Sequence, residues 1–206
     1  MIDNMAQSKS ALTLEATFPY ILITGGLIGI LASAILTLEK IELLKNPTAP
    51  LGCDLNPIVA CGSVINTAQS SAFGVPNPFL GLVGFAVIVT IGMAMLAGAK
   101  FKRWFWQGLQ VGTIFGVGFM AWLQFQSIFR IGSLCPYCMV VWSVMIPVFW
   151  YTLLYNLRQK HIELPKKYNR VTAFAQRHHG DILIVWYLLI IGVILNRFWF
   201  YWSTLI

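Results

Sequence analysis

Apolar residues in this chain run in long unbroken stretches rather than in the alternations of strands or the narrow stripes of surface helices. Stretches 18–38, 72–99, 104–129 and 131–157 lack charge, and each reaches the roughly 20 residues that a helix needs to cross a bilayer. A fifth, 182–202, is interrupted only by Arg197 near its end, where a long cationic side chain snorkels to the headgroups. The pattern predicts an all-α polytopic membrane protein with five spans. Its units are an N-terminal segment 1–17, a four-helix unit 18–157 containing a loop 39–71, a connector 158–181 and a fifth helix 182–206. The first stretch is too long for a signal-peptide core and its flank is not basic, so it reads as a retained helix.

Composition agrees: 58 % of the 206 residues are hydrophobic and 10 % charged, too few polar groups to cover a soluble globule. The net charge of +7 does not point to nucleic acid. Its cations gather between spans, at Lys100, Lys102 and Arg103 and again at Arg158, Lys160, Lys166, Lys167, Arg170 and Arg177, as positive-inside loops do. Those loops and the N-terminus are therefore expected in the cytoplasm and the C-terminus outside. In the loop 39–71, expected outside, Lys40 and Lys45 are outweighed by Glu39, Glu42 and Asp54. That loop is long for a structureless connection, and a short interfacial helix is expected within 60–72. Pro76 and Pro78 flank Asn77 and suit a helix's first turn. Gly25, Gly26 and Gly29, and Gly112, Gly116 and Gly118, read as close-packing positions. The connector 158–180 reads as solvated, with His161, His178 and His179 opposite the cysteines.

All four cysteines, Cys53, Cys61, Cys135 and Cys138, then face one extracytoplasmic compartment, where disulfides persist and an even count reads as two pairs. Cys135-Pro136-Tyr137-Cys138 opens the fourth span. At a helix N-terminus the dipole and unpaired N–H groups favour thiolate, so Cys135 is the expected exchange nucleophile, with Cys138 roughly 4.5 Å deeper along the axis, toward the membrane-embedded bundle. Cys53 and Cys61 sit on a loop read as mobile, beside a fixed pair, an arrangement suited to thiol–disulfide relay. Two structural disulfides or a four-cysteine zinc site are the competing readings. Zinc sites normally use tighter pairs than Cys53 and Cys61 provide, and a bridge across a CxxC closes too short a loop to stabilise much. No metal is expected.

With these residues in hand, the chain resembles the vitamin K epoxide reductase family in its bacterial form over about residues 15–157. The resemblance rests on Cys53 and Cys61, Gly62-Ser63-Val64, Pro76-Asn77-Pro78 and Cys135-Pro-Tyr-Cys138. The order of the pairs is the reverse of that in the unrelated bacterial quinone reductase DsbB. The resemblance implies a four-helix bundle around a quinone, menaquinone or ubiquinone, in a bacterial plasma membrane. Cys138 would lie next to the ring, Asn77 would hydrogen-bond a ring oxygen, and Trp142 would wall the pocket. Thr67 falls where the family usually has a serine near the thiols. Cys61 would meet an external thiol and Cys53 would bridge to Cys135. Many bacterial members carry a fused thioredoxin-like domain after the fifth helix. Here Ile206 ends the sequence, which implies a separate extracytoplasmic thioredoxin-fold partner of the DsbA kind, with lipids the other partner. The implied activity is reoxidation of that partner with quinone reduction, in support of disulfide-bond formation. The alternatives are thiol-dependent reduction of vitamin K quinone or its epoxide, and, in another class, a transporter or assembly subunit with structural disulfides.

Overall fold

The computed structural model describes residues 2–49 and 51–203; the outermost residue of the expected C-terminal segment, Ile206, lies outside them. Helix α1 (Ile2–Lys45) is followed by a short α2 (Cys61–Ile65) and a tight turn Ala68–Ser71. Then come α3 (Asn77–Leu96), α4 (Arg103–Phe125), α5 (Pro136–Arg158), α6 (Asn169–Arg177), α7 (His179–Arg197) and α8 (Trp199–Trp202). Among the described residues five helices are long and apolar enough to cross a membrane: Glu15–Lys45, Asn77–Leu96, Arg103–Ile131, Pro136–Arg158 and His179–Arg197. Lipid offers no partner for backbone polar groups, so apolar runs of this length have to close their bonds within a helix. Hydroxyls in the spans follow the same rule: Thr24, Thr37, Thr90 and Thr152 each bond the carbonyl four residues earlier.

Several limits differ from the apolar runs: α1 continues to Lys45, into the expected loop 39–71, the helix of the fourth span starts at Pro136, and the helix of the fifth runs His179–Arg197, with Phe198 separating it from α8. The helix of the second span begins at Asn77 rather than 72, because Pro76 sets its start and the preceding residues turn. The helix expected within 60–72 is broken at Asn66 and Thr67 into α2 and the tight turn.

Helix α1 packs along α3 and α5, and α5 along α4, whereas α3 and α4 diverge around a cavity. Small residues set the close crossings. A Cβ on Gly92 would come within 2.9 Å of the Pro19 carbonyl, and one on Gly29 within 2.5 Å of the Phe85 ring. Gly25, Gly26 and Gly116 also pack against neighbours, but Gly112 and Gly118 face open space. The close packing expected of those two is not found, and Gly112 borders the cavity instead.

Helix α7 lies on the outside of α5. Pro147 deprives the Ser143 carbonyl of its intrahelical donor, and the Tyr187 hydroxyl of α7 supplies one at 2.5 Å. At the end of the bundle away from the cysteines, α1 and the connector close together: Gln159 bonds Glu15, and Arg103 bonds the His161 carbonyl and Glu163. His161 stacks on Trp106 there, remote from the thiols.

Candidate functional site

The loop cysteines are joined as a disulfide, with Cα atoms 5.6 Å apart. The chain between them closes on itself through Asn56, whose Oδ1 accepts the N–H groups of Ile58 and Val59 at 3.0 and 2.8 Å. Asp54 Oδ1 accepts the Gly62 N–H at 2.9 Å, tying the residue after Cys53 to the residue after Cys61.

This loop is stitched to the turn ahead of α5. Ala60 donates its N–H to the Leu134 carbonyl at 2.9 Å, Leu134 donates to the Ile58 carbonyl at 2.7 Å, and Val59 pairs with Leu134 as a parallel bridge. The Ser133 hydroxyl is shared between the carbonyls of Ile58 and Ala60, and the Ser127 hydroxyl holds the Ser133 carbonyl. The turn itself comes from a wide, π-helical end to α4, Gln126–Ile131, closed by Gly132 at φ 71°, a left-handed backbone that glycine adopts without a Cβ penalty.

The register of the bridge sets the sulfurs. Cys61 and Cys135 follow Ala60 and Leu134, and their Sγ atoms stand 3.3 Å apart, both fully buried. Cys135 caps α5 and its Sγ accepts the Cys138 N–H at 3.4 Å; Cys135 and Cys138 are free thiols in this state. The Cys138 thiol's hydrogen bond, helped by the backbone N–H groups of Cys138 and Tyr137, holds the Cys135 pKa below the ordinary cysteine value; burial and the Asp54 charge oppose it.

Two expectations are corrected. In this structure the loop pair is docked beside the CxxC by backbone and serine bonds, with Cys53 and Cys61 buried, rather than standing free of it. Cys61, and not Cys53, faces Cys135, since the bridge aligns the residues after Ala60 and Leu134.

On the other side of Cys138 lies an apolar cavity of about 530 Å³ between α1, α3, α4 and α5, within the size of small-molecule sites. Cys138, Trp142, Asn77 and Thr67 all line it, so one space gathers every proposed pocket residue. Asn77 is already engaged: its Nδ2 donates to the Gln69 carbonyl at 2.7 Å and its Oδ1 accepts the Ala72 N–H at 3.1 Å. One hydrogen and one lone pair remain for a ligand. Thr67 donates its hydroxyl to the Val64 carbonyl at 2.7 Å, which leaves it an acceptor toward the cavity. Apolar walls with a few polar groups and an adjacent thiol suit a flat ring that carries oxygen substituents.

Lys40, read from sequence as a loop charge, also lines this cavity. The spacing of Leu36, Lys40 and Leu43 was the signal that could have found it, because positions three and four apart share a helix face. Ser127, Ser133, Asn56 and Asp54 were likewise missed as positioning residues. Among the described residues no three His, Cys, Asp or Glu side chains cluster to hold a metal.

Five membrane-crossing helices and two cysteine pairs meeting at buried sulfurs define a membrane thiol–disulfide oxidoreductase. The sequence profile of the vitamin K epoxide reductase family matches residues 20–153, and the chain belongs to that family. A search of curated proteins finds no match to the chain.

Proposed function

We propose that the protein reoxidises a separate extracytoplasmic thioredoxin-fold protein of the DsbA kind and passes the electrons to a quinone, supporting disulfide-bond formation. The observation that carries this reading is the 3.3 Å separation of Cys61 and Cys135, with Cys138, one helical turn on, in the wall of the apolar cavity. In the orientation favoured by the basic loops, the cysteine end faces the periplasm or exterior of a bacterial plasma membrane and the N-terminus the cytoplasm.

The partner's dithiol reduces the Cys53–Cys61 disulfide and leaves as a disulfide. The Cys61 thiolate then attacks Cys135 of an oxidised Cys135–Cys138 pair. A Cys61–Cys135 bond forms and Cys138 leaves as thiolate. Cys53 attacks Cys61, restoring the loop disulfide and releasing Cys135 as the thiolate its surroundings favour. Cys138, Asn77, Thr67 and Trp142 would hold a quinone in the cavity, and its chemistry when bound would be that of a two-electron, two-proton acceptor for the Cys135–Cys138 dithiol. The remaining N–H of Asn77 stabilises charge on a ring oxygen, while Trp142 and the apolar walls exclude water.

The test is anaerobic quinone reduction by the purified protein with a reduced thioredoxin-fold dithiol, comparing wild type with Cys138→Ser. Quinol formation that vanishes in the variant is expected. Equal inactivity of both, over several quinones and partners, would return the cysteines to a structural role.

A further inference from the structure

Lys40 is the anomaly of the cavity wall. Its ammonium donates to the Ile65 carbonyl at 2.8 Å, using one of three hydrogens. Neither ion pair found among the described residues, Arg103 with Glu163 and His178 with Asp181, includes it. Lys40 is a half-buried cation without a carboxylate partner, set in the wall of an otherwise apolar cavity.

Structural capping does not account for it. The Ile65 carbonyl already accepts the Ser70 hydroxyl at 2.6 Å, so this end of α2 stays satisfied without the lysine. The cation instead shares one cavity with Cys138 and Asn77, with two N–H donors uncommitted.

Building on the quinone reading above, we infer that Lys40 is a binding residue forming an anion-recognising subsite of the cavity, selective for quinone rings that bear an ionised oxygen. Asn77 offers a neutral donor and an acceptor, and Lys40 a full charge. The cavity therefore distinguishes a ring oxyanion from a carbonyl, and acidic hydroxyquinones are the class of ligand it favours.

The test uses the intact protein in nanodiscs of uncharged lipid. Equilibrium binding is measured for two probes, a hydroxynaphthoquinone that is anionic at neutral pH and the unsubstituted naphthoquinone. Wild type is expected to prefer the anionic ring by roughly tenfold to a hundredfold, the range of a charge-assisted hydrogen bond. Lys40→Met is expected to lose that preference while keeping its affinity for the neutral ring, and Lys40→Arg to retain it. An unchanged preference in Lys40→Met overturns the subsite, and reduction of the neutral quinone by the wild-type protein leaves the quinone reading intact in that case. Failure of wild type to bind either ring overturns both. Thermal unfolding of Lys40→Met in the same nanodiscs separates the outcomes from misfolding, because loss of affinity for both rings with a folded protein also counts against a charge-selective role.

Discussion

The two ends of the bundle solve the problem of buried polar groups in opposite ways. At the basic end, Asn156 is fully buried and donates to the Trp106 carbonyl and to Gln110, which in turn donates to Thr113. Phe18 and Tyr155 stack at 4.6 Å, with Trp106 against both. The bonds of Asn156 run between α4 and α5 and lock the two helices together, with its Oδ1 left without a partner among the described residues. At the cysteine end the ties run between loops far apart in sequence, and they leave a cavity and two free thiols beside a disulfide. The contrast teaches that one end holds the bundle in place so that the other can present reactive sulfur in a fixed position.

The largest effect that could break this contrast is at the sulfurs. Cys61→Ser is expected to abolish partner-dependent turnover while thermal unfolding in detergent still reports a folded bundle; surviving turnover would remove the loop pair from the relay. Asn156→Leu should do the reverse. It leaves the Gln110 Oε1 without its donor and lowers stability by about 1 kcal/mol, with turnover per folded molecule unchanged. A comparable pair tests the packing: Gly92→Ala forces α1 and α3 apart and is expected to cost about 1–3 kcal/mol, whereas Gly112→Ala, facing open space, should be near neutral in the same unfolding assay.

Smaller effects sharpen the picture at the cysteine end. Ser133→Ala removes the hydroxyl shared by Ile58 and Ala60 and is expected to slow trapping of the Cys61–Cys135 mixed disulfide by about tenfold, the worth of one hydrogen bond of roughly 1.4 kcal/mol. The smallest concerns titration. Because the Cys135 pKa is lowered, its thiolate persists as the pH falls below the usual cysteine value, and its alkylation, followed by peptide mass spectrometry, declines only at lower pH. The Asp54 charge opposes that shift. Asp54→Asn keeps an acceptor for Gly62 and should move the alkylation profile to still lower pH; an upward move would count against the charge as the cause.

The helices were legible in the sequence because lipid imposes one solution on any long apolar run. The cysteine pairs were legible too, through the compartment they share and the CxxC at a helix start. Which sulfur meets which was not. That depends on a bridge between Val59 and Leu134, neither of which carries chemistry or a pattern that marks it. Lys40 was misread for a related reason: at the edge of an apolar run a charge looks solvated, and only the continuation of α1 to Lys45 turns it inward. Asn77 lines the cavity, and its hold on Gln69 and Ala72 could not be foreseen from the two prolines beside it.

The wide turn at Gln126–Ile131 sets a screw phase. A π turn takes up about one residue more than an α turn, so the far end of α4 is rotated relative to the rest of that helix. Ser127 reaches Ser133 in that rotated setting. Removing a single residue such as the exposed Phe129 would let the segment relax to ordinary helix and swing its end by about 100°. The chain would keep every cysteine and every span, and lose the alignment of its sulfurs through an error of angle alone.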